Sequence, residues 1–317
     1  SVHTAYAREI AELLPLLTSL WLLPSVFPAT KTEMRQKFSF IGDMLEKMGI
    51  PLMDEKLVEE AMKKAKELDV PISLHEEDPA YIKQPGVNQG KVSEQLNYGG
   101  ASYLAEAVMV KRDCELAVKT GAKVDIQHIS SGVAVDYVKE AKEKGANVYA
   151  EASPHHFTLT EEAVLKYGTL ARMNPPLRTE EDRQRIIKGL QEGTIEIIAT
   201  DHAPHSKEEK DKPLDQAPSG ITGIETSLAL GVTELVEKGY LSMMQLLEKM
   251  TINPAKLYNM EQGRLQEGKP ADVVLFDPEE EWEVKEYKSK ATNSPFTGWK
   301  LKGKVKYTIC DGKIIEL

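Results

Sequence analysis

The chain has 317 residues, a net charge of −10, 41% hydrophobic and 28% charged residues, and two cysteines. That length accommodates one large domain, or a large one with a small companion, and the composition is that of a globular protein. The acidic balance, without a Lys/Arg-rich stripe, excludes a nucleic-acid partner. Cys114 and Cys310, far apart in sequence, read as small buried hydrophobes in a reducing, cytoplasmic setting.

The most apolar run is Leu13 to Phe27, interrupted by Pro15 and Pro24. It is shorter than the ~20 apolar residues a membrane helix requires. No basic leader or small-x-small cleavage site accompanies it, so it reads as a buried element and a membrane role is excluded.

From Leu57 a repeating unit begins. LVEEAMKKAKELDV has apolar residues at helical spacing, and PISLHEED follows as a short apolar run ending in polar residues. A second helix closes at Gly121 before KVDIQHISSG, a third at Gly145 before NVYAEASPHH, and a fourth across Glu181 to Leu190 before TIEIIATDHAPH. Helix followed by short strand predicts a parallel α/β fold. Each predicted strand ends in His or Asp: His75, His128, the His155/His156 pair, and Asp201 with His202. In a (β/α)8 TIM-type barrel the C-terminal strand ends surround one site, whereas a doubly wound sheet carries a Gly-rich phosphate loop that this sequence lacks. The barrel is therefore the expected fold. After Gly263, GRLQEGKPADVVLFDP and KVKYTICDGKIIEL have strand character with Gly-containing turns, predicting a small β-rich appendage.

His75 and His128 repeat one position on adjacent strands, and two neutral imidazoles so placed can share a cation such as zinc. Asp201 in IIATDHAPH can serve as ligand and as general base toward water acidified by the ion. His202, His205, His155 and His156 supply supporting donors or substrate contacts. In RMNPPLR, Asn174 precedes two prolines and offers an amide to a planar amide-bearing substrate. Arg172 and Arg178 flank it; each could pair with a substrate carboxylate, although a structural role is the commoner one. The small residues of APSGITGIE, around Gly220, allow close approach of backbone to ligand.

In order, SLHEED, QHISSG, EASPHHFTLTEE, RMNPPLR, ATDHAPHSKEEK and GRLQEGKPADVVLFD resemble the dihydroorotases of the amidohydrolase superfamily, in their longer, bacterial-type branch. The resemblance implies reversible interconversion of N-carbamoyl-L-aspartate and (S)-dihydroorotate in pyrimidine biosynthesis, on a barrel carrying one or two Zn2+ per subunit. It implies His75 and His128 on one zinc, Asp201 on the other metal and moving the proton, and Asn174, His205, Ser219 and Gly220 on the substrate. A homodimer, or association with another pyrimidine-pathway enzyme, is the expected partnership.

The sequence departs from that family at its start. The expected His-x-His pair is absent, the only histidine before His75 being His3, and Lys47 stands near where a bridging ligand belongs without matching neighbours. The expected division is an atypical segment over 1–48, the barrel over 49–262 with its first strands missing or replaced, and the appendage over 263–317. Two alternatives follow: a catalytically impaired relative, truncated or serving as an assembly partner, and a hydantoinase-like cyclic amidohydrolase.

Overall fold

The computed structural model describes residues 53–268, 272–310 and 312–316. The apolar run at Leu13–Phe27 and Lys47 lie outside the described residues. The first helix, α1 (Glu55–Glu67), starts where Asp54 accepts hydrogen bonds from the Lys56 and Leu57 backbone N–H groups at 3.0 and 3.3 Å. Glu55 in its first turn and Lys64 and Lys66 in its last complement the helix dipole. Its buried face is Val58, Ala61, Met62 and Ala65, and fully burying a side chain such as Met62 contributes about 1.5–3 kcal/mol.

The unit then recurs as β1 (Ile72–Leu74), α2 (Leu104–Thr120), β2 (Val124–Ile126), α3 (Gly132–Glu143), β3 (Val148–Ala152), the short α4 (Pro154–Thr158), α5 (Glu180–Glu192) and β4 (Ile197–Ile198). The four strands are parallel and lie in sequential order. A doubly wound sheet reverses direction at a switch point, and this one does not, which is the order of a barrel wall. Side chains alternate across the wall. Leu74, Val124, Ile126, Val148 and Ala150 join the hydrophobic core with Met62, Val110, Val138, Ile186 and Leu190 of the helices. Ser73 and Asp125 are in register on the opposite face, where Ser73 Oγ donates to Asp125 Oδ2 at 2.8 Å.

Beyond β4, helices α6 (Met243–Met250) and α7 (Ile252–Leu257) lead to the appendage, an antiparallel sheet in the order β5 (Val273–Glu283), β6 (Lys300–Cys310), β7 (Lys313–Glu316). It packs on the barrel through Leu301 and Trp282, and the Lys302 backbone N–H donates to Thr233 Oγ1 at 2.9 Å. Cys114 is buried as expected, and burial pushes its thiol up to about 12. Cys310 corrects the expectation: at the end of β6, in a thin three-stranded sheet, it is only partly buried. No helix among the described residues is long and apolar enough to cross a membrane.

Candidate metal and ring-binding site

The wall places the ends of β1 and β2 side by side, and with them His75 and His128. His75 Nδ1 and His128 Nε2 stand 2.9 Å apart, and the rings meet edge to face with centroids 4.8 Å apart. Two nitrogens held at 2.0–2.1 Å by one tetrahedral ion would be separated by about 3.4 Å. At 2.9 Å the two nitrogens are closer than that and hydrogen-bonded to each other, so an ion between them would replace this hydrogen bond. His75 Nε2 faces Glu77 Oε2 at 2.9 Å, the carboxylate–histidine pairing that orients a metal-binding imidazole. The hydrogen bond from His75 holds the Glu77 carboxyl below its ordinary range. Burial, reinforced by the neighbouring His75, keeps His128 well below the usual imidazole value, so it stays neutral.

Asp201 follows β4 and is partly buried. Burial raises its carboxyl to about 6, opposed by the charge of His75. His128 and Asp201 both hold left-handed backbone conformations, with φ of 31° and 45°. Asp and His are among the non-glycine residues that enter that region most often, and the strain persists where surrounding structure imposes it. Among the described residues no three His, Cys, Asp or Glu side chains gather closely enough to hold an ion. The two imidazoles are donors of the kind a zinc ion takes, while no third ligand is assembled around them among the described residues.

Asn174 stands beside this pair: its Nδ2 donates to Glu77 Oε2 at 3.0 Å and lies 3.5 Å from His75 Nε2. The other predicted residues form a second wall. His205 Nε2 meets the Ser219 carbonyl at 2.9 Å, so the imidazole braces the turn through that nitrogen. Gly220 has φ of 125°, and a Cβ there would lie 2.5 Å from Ala203 Cβ and 3.2 Å from the Ala203 carbonyl oxygen. Only glycine suits that position. Asn293, between β5 and β6, was not anticipated. Its Nδ2 donates to the Ala203 and Gly220 carbonyls, both at 3.1 Å, and its Oδ1 accepts from the His205 backbone N–H at 3.0 Å.

His202 Nδ1 accepts from the Gly223 backbone N–H at 3.2 Å. His155 and His156 lie buried in α4, where His156 Nε2 meets the Pro175 carbonyl at 3.0 Å. Burial lowers His155 to about 3. Between the unfolded value near 6.5 and about 3, only the unfolded chain takes up that proton, so the contribution is complete above pH 6.5 and is lost as pH falls. His155→Leu should therefore flatten the acid limb. From pH 7 to pH 5 the stability difference between the parent and the variant should shift by about 2 kcal/mol in urea titrations. Parallel pH profiles would contradict a neutral, buried His155.

Arg178 is buried within a network: it donates to Ser130 Oγ at 3.1 Å, Asn88 Oδ1 at 2.8 Å and the Ala101 carbonyl at 2.8 Å. Its structural reading holds. Arg172, also buried, donates through Nη1 to Ser219 Oγ at 2.7 Å.

The model of the amidohydrolase family matches residues 47–315. Among curated proteins, the chain is 68% identical over 267 residues to a dihydroorotase of Clostridioides difficile (strain 630) and 53% identical over 268 residues to a dihydroorotase of Lactococcus lactis subsp. lactis (strain IL1403). Each match covers 84% of this chain and 63% of the relative. The chain thus spans less than two thirds of the length of these relatives. Among solved structures, the dihydropyrimidinase from Brevibacillus agri NCHU1002 superposes with a TM-score of 0.73 at 24% identity, covering 85% of this chain and 61% of that one. A D-hydantoinase superposes with a TM-score of 0.74 at 22% identity, covering 85% and 62%. At that identity the structures speak for the fold: a TIM-type barrel with a β-rich appendage.

Proposed function

Because this chain belongs to the amidohydrolase family, we propose that it is a zinc-dependent cyclic amide hydrolase of the dihydroorotase type, interconverting (S)-dihydroorotate and N-carbamoyl-L-aspartate in the cytoplasm. The observation that carries this reading is the convergence of His75 Nδ1 and His128 Nε2, backed by Glu77, beside Asn174. The far higher identity to the dihydroorotases than to the dihydropyrimidinase and D-hydantoinase structures favours the carboxylated ring as substrate.

His75 and His128 would hold one zinc ion, and Asp201 would bind the other metal of the family pattern. When bound, the ion polarises the ring amide and acidifies water. Asp201 accepts the proton on its carboxylate and returns it to the leaving nitrogen. Asn174 holds the ring by its amide, its own orientation fixed by Glu77. The turn at Ser219 and Gly220, braced by His205, receives the opposite side of the ring.

Metal analysis of the purified chain together with hydrolysis of dihydroorotate, hydantoin and dihydrouracil tests this reading. Bound zinc and preferential turnover of dihydroorotate are expected; a folded chain with neither zinc nor turnover rejects it. Turnover of hydantoin in preference to dihydroorotate would reassign the substrate. Asn174→Ala should raise KM about tenfold, about 1.4 kcal/mol of binding, with the metal content unchanged. Loss of zinc from that variant would move Asn174 from the ring to the metal.

A further inference from the structure

Lys210 and Arg172 are two cations buried behind the Ser219–Gly220 turn, 3% and 5% exposed. The Lys210 ammonium donates to the Pro218 carbonyl at 2.9 Å and the Gly220 carbonyl at 3.1 Å. Arg172 donates to Ser219 Oγ, its own carbonyl accepts the Gly220 backbone N–H at 3.0 Å, and its Nε is buried without a partner. Gly86 leaves room for the Arg172 side chain: a Cβ there would lie 2.6 Å from Arg172 Cγ and 2.8 Å from Nε. Among the described residues neither cation has a carboxylate within ion-pair distance, and each lies close enough to the other to repel it.

Two like charges out of water and without a counter-ion are costly unless an anion completes the set. The turn is arranged to transmit their charge. The oxygens of three successive carbonyls are engaged from behind, Pro218 by Lys210, Ser219 by His205, and Gly220 by Lys210 and Asn293. With the oxygen ends tied back and the Gly220 N–H taken by the Arg172 carbonyl, the Ser219 N–H is the turn's donor left without a partner among the described residues, and it can face a ligand.

We propose that Lys210, with Arg172, is a specificity-determining pair that acts through the Ser219–Gly220 turn to select a ring bearing a carboxylate over the same ring without one. Neither side chain touches the ligand; they set the potential where its carboxylate docks. Burial and the adjacent Arg172 lower the Lys210 ammonium to about 8. The inference rests on the ring-hydrolase reading above.

The test uses the full chain and two kinds of probe. In calorimetric titration, the parent chain should bind orotate at least tenfold more tightly than uracil, and Lys210→Gln should remove about tenfold of that preference, a change of about 1.4 kcal/mol. Lys210→Arg, which keeps the charge, should restore it. In turnover, Lys210→Gln should raise KM for dihydroorotate while leaving kcat, and KM for dihydrouracil, nearly unchanged. Equal binding of orotate and uracil by the parent chain overturns the inference, as does a Lys210→Gln variant that weakens both rings alike. Absence of turnover on any ring, with orotate still preferred over uracil, would instead count against the hydrolase reading and leave the anion selectivity standing.

Discussion

Asp201→Asn is expected to lower kcat by at least about a thousandfold while leaving the fold intact. A positioned general base contributes about 10²–10⁴ in rate, and here the same carboxylate is proposed to bind the metal. The fold should survive because Asn is among the residues that tolerate the left-handed backbone of position 201, where φ is 45°. The metal-free variant should be at least as stable as the parent at pH 7. The parent carboxyl, raised to about 6 from 3.8, favours folding only at low pH, and its contribution is lost as pH rises through 6. The amide has no such dependence. Steady-state kinetics and thermal melts of the metal-free forms check both halves; retained turnover would remove Asp201 from the chemistry.

Arg178→Met should destabilise the chain by about 3–5 kcal/mol, the usual cost of removing one partner from a buried ionic network. The guanidinium is 4% exposed and bonds Ser130, Asn88 and the Ala101 carbonyl. Its loss leaves the buried Glu106 carboxylate with the Ser130 and Ser131 backbone N–H groups at 3.0 and 2.9 Å and the Ser130 hydroxyl, but without its nearby cation. It also leaves the Asn88 Oδ1 unsatisfied while Asn88 still donates to Glu161 at 2.6 Å. Ser130 follows His128 by two residues, so metal affinity should fall with stability. Urea unfolding with an unchanged m-value measures the effect; a loss below about 1 kcal/mol would mean that the network relaxes around the gap.

The barrel wall was legible because its signals are local. The apolar spacing of α1, α2 and α3 follows the helical period, and each strand end carries its polar residue next to an apolar run. His75, His128 and Asp201 stand out as candidates because that position recurs from strand to strand. Glu77 was within reach, two residues beyond His75, but nothing local distinguishes it from Glu76, which is buried while Glu77 turns toward the imidazole. Asn293 was not legible, since it acts 88 residues from His205 and 73 from Gly220. Lys210 was hidden differently. In SKEEK it reads as a solvated surface lysine, and only the folding of the 218–220 turn onto it buries the charge. Arg178 declared its charge in the sequence but not its partner, Asn88, 90 residues away.

Asn293 also changes what can be exchanged between relatives of this protein. It belongs by sequence to the connection between β5 and β6, yet its amide stitches together the 203–205 and 220 segments on the barrel side. The border that separates helices from antiparallel strands is therefore not the border of the site. A chimera that grafts onto this barrel an appendage without an asparagine at this position would keep His75, His128 and Asp201 and still lose the hydrogen bonds that tie Ala203, His205 and Gly220 together. For inheritance by recombination, barrel and appendage form one unit, and variation in the appendage can reach the proposed ring wall without touching His75 or His128.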